Sequence, residues 1–139
     1  MGGGVFTHGE RECVNRHGLS GRVHHFLFPT LAHLSSLYHF ASLFCYPSLY
    51  EGFGIPILEA FASGCPVAAS ASSSIPEVAG DSAELFEPRQ VDSIAAALQR
   101  ILGNSSLAAE LVAKGCERVR TFSWERSARS TLEIYQEVS

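Results

Sequence analysis

Apolar residues along this chain fall into two recurring patterns: short runs bounded by turn residues, and longer stretches repeating at three- and four-residue spacing. The runs at 43–46 (Leu-Phe-Cys-Tyr), 66–69 (Pro-Val-Ala-Ala) and 83–86 are short enough to be buried strands. A further strand is expected at 22–27, carried by Val23, Phe26 and Leu27 although its alternation is poor. Between the runs lie helical patterns. Thr30 can cap a helix in which Leu31, Leu34, Leu37, Tyr38 and Ala41 recur, and Pro56 sits where proline is favoured in a first turn. Ile57, Leu58, Ala60, Phe61 and Ala62 continue that second helix up to Gly64 and Pro66.

Farther along, Ser73 or Ser74 can cap a one-turn helix at 75–78 that Gly80 closes. Residues 91–102 form a clear amphipathic helix with Val91, Ile94, Ala95, Leu98, Ile101 and Leu102 on one face. A helix over about 105–120 follows, and Ser123 caps a last one that carries Leu132, Tyr135 and Val138. Strands alternating with helices predict an α/β fold with a doubly wound parallel sheet and a C-terminal helical tail.

The densest chemistry sits where the run at 43–46 gives way to Pro47-Ser48-Leu49-Tyr50-Glu51-Gly52-Phe53-Gly54-Ile55-Pro56. This reads as strand, glycine loop and helix start. Such a turn offers free backbone N–H groups and the positive end of a helix dipole, where a phosphate can sit. Gly52 and Gly54 allow close approach of a ligand or positive φ. Glu59 is the only charge between Gly54 and Gly64, so on so apolar a helix it must be solvated at a cleft or matched by donors. Glu51 and Glu59 therefore flank one potential anion site, and carboxylates suit sugar or ribose hydroxyls because they accept hydrogen bonds. A glycine-rich strand-to-helix turn also occurs for packing alone, and a glutamate in a first turn can simply complement the dipole. The combination is more specific than either part.

Glu51 and Glu59 within PSLYEGFGIPILEAFASGCPV resemble the signature of the retaining, nucleotide-sugar-dependent glycosyltransferases often called family 4, or glycosyl transferases group 1. The similarity runs from about Arg22 to Val138 and is strongest from Phe44 to Asp81. Pro76, Glu77 and Gly80 strengthen it, whereas Phe28 stands where the family's strand usually ends in glycine. The resemblance implies part of a GT-B enzyme, namely its C-terminal, partial Rossmann-like donor domain over 21–139, preceded by a flexible or partial segment over 1–20. It implies that Glu51 is catalytic, bonding a donor-sugar hydroxyl near the reacting centre. Gly52, Phe53, Gly54 and Ile55 would support the diphosphate, and Glu59 would grip the ribose hydroxyls. The implied reaction moves a hexose such as mannose or glucose from a UDP- or GDP-sugar to a hydroxyl of a glycan or lipid-linked acceptor. No tightly bound cofactor or metal is implied. The missing partners are an N-terminal acceptor domain and a basic pair for the diphosphate, and the full-length enzyme would associate peripherally with a membrane. Alternatives are a nucleotide-sugar epimerase of the same architecture and a non-catalytic nucleotide-sugar-binding domain.

Composition narrows the remaining classes. With 139 residues, 46% hydrophobic and 17% charged, the chain is sized for one domain with a real core. A net charge of -4 gives no basic field for nucleic acid. No apolar stretch approaches the roughly 20 residues that span a bilayer, and the start lacks a signal-peptide pattern, so a cytoplasmic location is expected. Cys13, Cys45, Cys65 and Cys116 form no C-x-x-C pair and read as small buried hydrophobes. The histidines all precede Phe40 and lack a matching ligand set for a metal. The serines at 70 and 72–74 can contact a ligand or form an ordinary flexible connection, and Glu77 is expected to be structural.

Overall fold

The computed structural model describes residues 5–138, so residues 1–4 of the flexible or partial segment expected over 1–20 lie outside the described residues. Two compact units divide the chain, Met1–Leu34 and Ser35–Ser139. In the first, α1 (His8–Arg16) begins at a capping box, in which the Thr7 side chain accepts from the Glu10 amide while Glu10 accepts from the Thr7 amide. The same unit holds a stacked Phe6–His25 pair, with ring centroids 4.7 Å apart.

The strand expected at 22–27 does not form. The amides of Arg22 and Val23 donate to the Leu19 carbonyl at 2.8 and 3.1 Å, which folds this segment into a turn. Its apolar residues do not alternate, so no single face could be buried, and Val23, Phe26 and Leu27 are exposed. Phe28 adopts φ 53°, the left-handed conformation that glycine takes freely and that costs another residue about 1–2 kcal/mol.

Sequence and structure agree closely in the larger unit. Helix α2 (Leu31–Phe40) runs across the unit boundary, and the Thr30 hydroxyl accepts from the His33 amide as its cap. Of its apolar residues only Tyr38 is buried, and Leu31 and Leu37 are exposed. Then follow β1 (Phe44–Tyr46), α3 (Ile55–Ala62), β2 (Val67–Ser70), α4 (Ile75–Ala79) and β3 (Glu84–Phe86). The unit ends with α5 (Val91–Leu102), α6 (Ser105–Val119) and α7 (Trp124–Glu137). The strands form a parallel sheet in the order β1-β2-β3, with Cys45 opposite Ala68 and Ser70 opposite Phe86.

Parallel strands joined by crossover helices must be covered on both faces, and β2 is buried along its whole length. On one face Cys45, Ala68 and Phe86 pack with Ile94, Ala97, Leu98 and Ile101 of α5 and Leu107 and Leu111 of α6. Phe44 points to the other face and meets Tyr38 of α2 edge-on, with ring centroids 5.1 Å apart. Val91 and Leu102, the first and last residues of α5, stay exposed although the helical pattern placed them on the apolar face. The cysteines are all free, but only Cys65 is fully buried; Cys13 is exposed on a helix that buries nothing.

Helix α6 packs against α3 at Gly115, where an added Cβ would lie 2.6 Å from a Phe61 ring carbon. Replacing a helical glycine by alanine ordinarily favours the helix by about 1 kcal/mol. Here the steric term wins, and Gly115→Ala is expected to destabilise the unit by about 1–3 kcal/mol in urea denaturation. Ser70, at the carboxyl end of β2, buries a hydroxyl that has no partner among the described residues. Such a group costs about 1–3 kcal/mol, so Ser70→Ala should hold the unfolding midpoint or raise it.

Candidate functional site

All three strands point their carboxyl ends the same way, and in open parallel sheets ligands bind beyond those ends. The loop leaving β1 holds the glycine motif, and the loop leaving β2, the neighbouring strand, holds Ser72, Ser73 and Ser74. At Gly54 the backbone takes φ 103°, a conformation that requires glycine, and this residue caps α3 with Pro56 in the first helical turn. Gly52 has no such requirement and stands in open space. Among the described residues, none accepts from the amides of Gly52, Phe53, Gly54 or Ile55. The start of α3 therefore carries the unpaired donors and the dipole end that an anion needs.

Glu51 is anchored at one oxygen. The Tyr46 phenol donates to its Oε1 at 2.5 Å and the Ser48 hydroxyl to the same atom at 2.7 Å. These bonds hold the Glu51 carboxyl below its ordinary range, Tyr46 contributing most. Burial, followed by the bond to Glu51, pushes Tyr46 up to about 12, so the phenol remains a donor at neutral pH. Among the described residues no donor reaches Oε2 of Glu51.

Glu59 repeats the arrangement on α3. It is half-buried, and Oε2 accepts a long hydrogen bond of 3.3 Å from Tyr38. Desolvation, and then the Glu59 charge, raises the Tyr38 phenol well above its ordinary value. The two tyrosines are joined through Phe44, which meets Tyr38 edge-on and stacks on Tyr46 at 5.7 Å. One aromatic row thus supports both carboxylates.

Phe53 and Ile55 face a different environment. They line an apolar cavity of about 410 Å³ with Leu58, Val119, Phe122 and Trp124. Phe53 meets Phe122 edge-on at 5.6 Å, and the Arg118 guanidinium lies 5.0 Å over the Phe122 ring. Arg118 also donates to the carbonyls of Glu77 and Val78, which fixes the end of α4, so Glu77 is used there through its backbone.

The serine loop is not an unattached connection. Ser74 occupies the cap position of α4, yet no side-chain cap bond is made. Its hydroxyl is turned to the carbonyls of Glu51 and Phe53, at 2.9 and 3.1 Å, and the Ser73 hydroxyl donates to the Glu51 carbonyl at 2.8 Å. Sequence reasoning missed Tyr38, Tyr46 and Ser48 as supports of the carboxylates, and it named Ser73 and Ser74 without their bonds to the Glu51 carbonyl. Only Ser48, three residues before Glu51 in a turn, could have been found from local spacing.

Comparison with known proteins gives this geometry a context. The family described as glycosyl transferases group 1 matches residues 1–118, including the first 21 residues that the motif likeness left out. The O-antigen chain mannosyltransferase B of Escherichia coli is 42% identical over 103 residues, which is 74% of this chain and 27% of the relative. Sucrose-phosphate synthase from Thermosynechococcus elongatus superposes with a TM-score of 0.81 at 31% identity, over 92% of this chain and 33% of the other. The C-terminal domain of a glycosyl transferase group 1 family protein, LpcC, from Francisella tularensis gives 0.72 at 28% identity, over 81% and 60%. The chain thus spans about a quarter of the length of this curated mannosyltransferase relative.

The anchoring of Glu51 has a pH signature. Its folded value lies below the ordinary 4.5, so the stability it contributes is complete above that value and is lost as pH falls through the folded one. In Tyr46→Phe the Glu51 midpoint, followed by carbon NMR of the side-chain carboxyl, is expected to move up toward 4.5. An unchanged midpoint would mean that the phenol does not hold this carboxylate.

Proposed function

Because the chain belongs to the glycosyl transferases group 1 family, we propose that it is the donor-binding part of a retaining hexosyltransferase acting on a nucleoside diphosphate sugar. One observation carries this reading: two carboxylates, each with one oxygen anchored by a tyrosine and the other open, accompany a run of unpaired amides at a helix start. A nucleotide sugar presents the complementary set of a ribose diol, a diphosphate and sugar hydroxyls.

In this reading Glu59 accepts from the ribose hydroxyls, and the amides of Gly52, Phe53, Gly54 and Ile55 hold the diphosphate. Glu51 accepts from a hydroxyl of the transferred sugar. The bond between the anomeric carbon and the diphosphate oxygen breaks while the acceptor oxygen bonds to that carbon with retention, and the acceptor's proton leaves with the departing phosphate. Amides already oriented toward that phosphate stabilise the charge that grows on it without reorganising. The mannosyltransferase relative supports mannose as the sugar and a glycan as the acceptor. The acceptor domain is a partner outside this chain. The exposed apolar residues Leu132 and Ile134 of α7, with Val138 just beyond its end, are the surface we propose it covers.

Thermal unfolding with millimolar UDP, GDP and ADP tests the donor role. A ligand at about 100 times its Kd adds roughly 2.7 kcal/mol, which moves the midpoint of a chain this size by several degrees. The expected result is a shift with one nucleotide that is lost in Glu59→Gln. A folded chain that responds to none of them would count against donor binding by this unit.

A further inference from the structure

The hydroxyls of Ser73 and Ser74 make no cap bond to α4, although a cap would be the ordinary use of such a serine there. Both instead donate to the Glu51 carbonyl, at 2.8 and 2.9 Å, which fills the two acceptor sites of that oxygen. The proton of Ser74 is shared with the Phe53 carbonyl at 3.1 Å. In a planar trans peptide the C=O of one residue and the N–H of the next point in opposite directions. Carbonyls drawn toward the serines therefore turn the amides of Gly52 and Gly54 away from them, and these are among the amides that have no acceptor.

Ser73 holds φ 56°, a conformation disfavoured for any residue with a Cβ. The hydroxyl is placed on the Glu51 carbonyl at that cost.

We propose that Ser73 and Ser74 are positioning residues that lock the glycine loop with its amides facing the donor diphosphate. This rests on the donor-site reading above, and it adds a role for the loop after β2 that the carboxylate and glycine motif does not contain. The serines touch no substrate. They act by removing the freedom of two peptide planes, so that anion binding does not have to order them.

The test uses the nitrogen-15-labelled chain and follows the Gly52 and Gly54 amide resonances during titration with UDP, GDP and inorganic pyrophosphate. Three variants are compared with the unsubstituted chain: Ser74→Ala, Ser74→Thr, and Ser73→Gly combined with Ser74→Ala. Glycine takes the left-handed φ of residue 73 freely, so the hydroxyl is removed there without leaving a strained side chain behind. We expect the double variant to keep its melting temperature, to show faster amide relaxation at Gly52 and Gly54 before ligand is added, and to bind about tenfold more weakly. Ser74→Thr should retain both rigidity and affinity. If the double variant relaxes and binds as the unsubstituted chain does, the positioning role is overturned. If the unsubstituted chain shows no ligand-dependent shift at these amides, the donor-site reading fails. The relaxation comparison without ligand still decides whether the serines order the loop.

Discussion

The pairing of β1 with β2 in parallel register is the constraint on which the rest of the site depends. With Tyr46 opposite Ala69, both strands end at the same level, and the loops that leave them must run side by side. An antiparallel pairing would have sent one loop to the far end of the sheet. The parallel one brings serine hydroxyls from beyond β2 to carbonyls beyond β1, and it leaves Tyr46 at the strand end within reach of Glu51. The cost is a strand, β2, that must be buried completely, and the small side chains of Ala68 and Ala69 let helices approach it closely.

The two carboxylates show how one physical requirement can be met twice. A charge on an apolar element needs a donor, and a tyrosine supplies one while its ring contributes packing. Tyr38 and Tyr46 flank Phe44, so the same aromatic row that covers one sheet face also orients the polar groups at its edge. Packing and polar organisation are coupled there. A change in the ring stack would be felt at both Glu51 and Glu59.

Much of the architecture was legible in the sequence because its causes are local. Pro56 and Gly54 mark the start of α3, Ser123 accepts from the Arg126 amide as a cap should, and Gly80 closes α4 with positive φ. Residues 22–27 misled because their apolar content suggested a strand while the Leu19 carbonyl, outside the window, drew two amides into a turn. At the site, the carboxylates and glycines stood out by type and spacing. Their supports did not: Tyr38 lies 21 residues from Glu59, and Ser73 lies 22 residues from Glu51. Separations of that size become contacts only through the sheet. Ser74 was legible as a cap by position, but its hydroxyl is turned to the Glu51 and Phe53 carbonyls and accepts no helix amide.

The half-anchored carboxylate has a consequence for selectivity. A side chain free to rotate can turn toward solvent when its partner is missing and so recover most of the lost energy. Glu59, held through Oε2 by Tyr38 on a short, well-packed helix, has less of that freedom. On the proposed reading, a nucleotide lacking a ribose hydroxyl leaves a fixed acceptor unsatisfied, so the site would separate ribonucleotide from deoxyribonucleotide sugars by penalty more than by attraction.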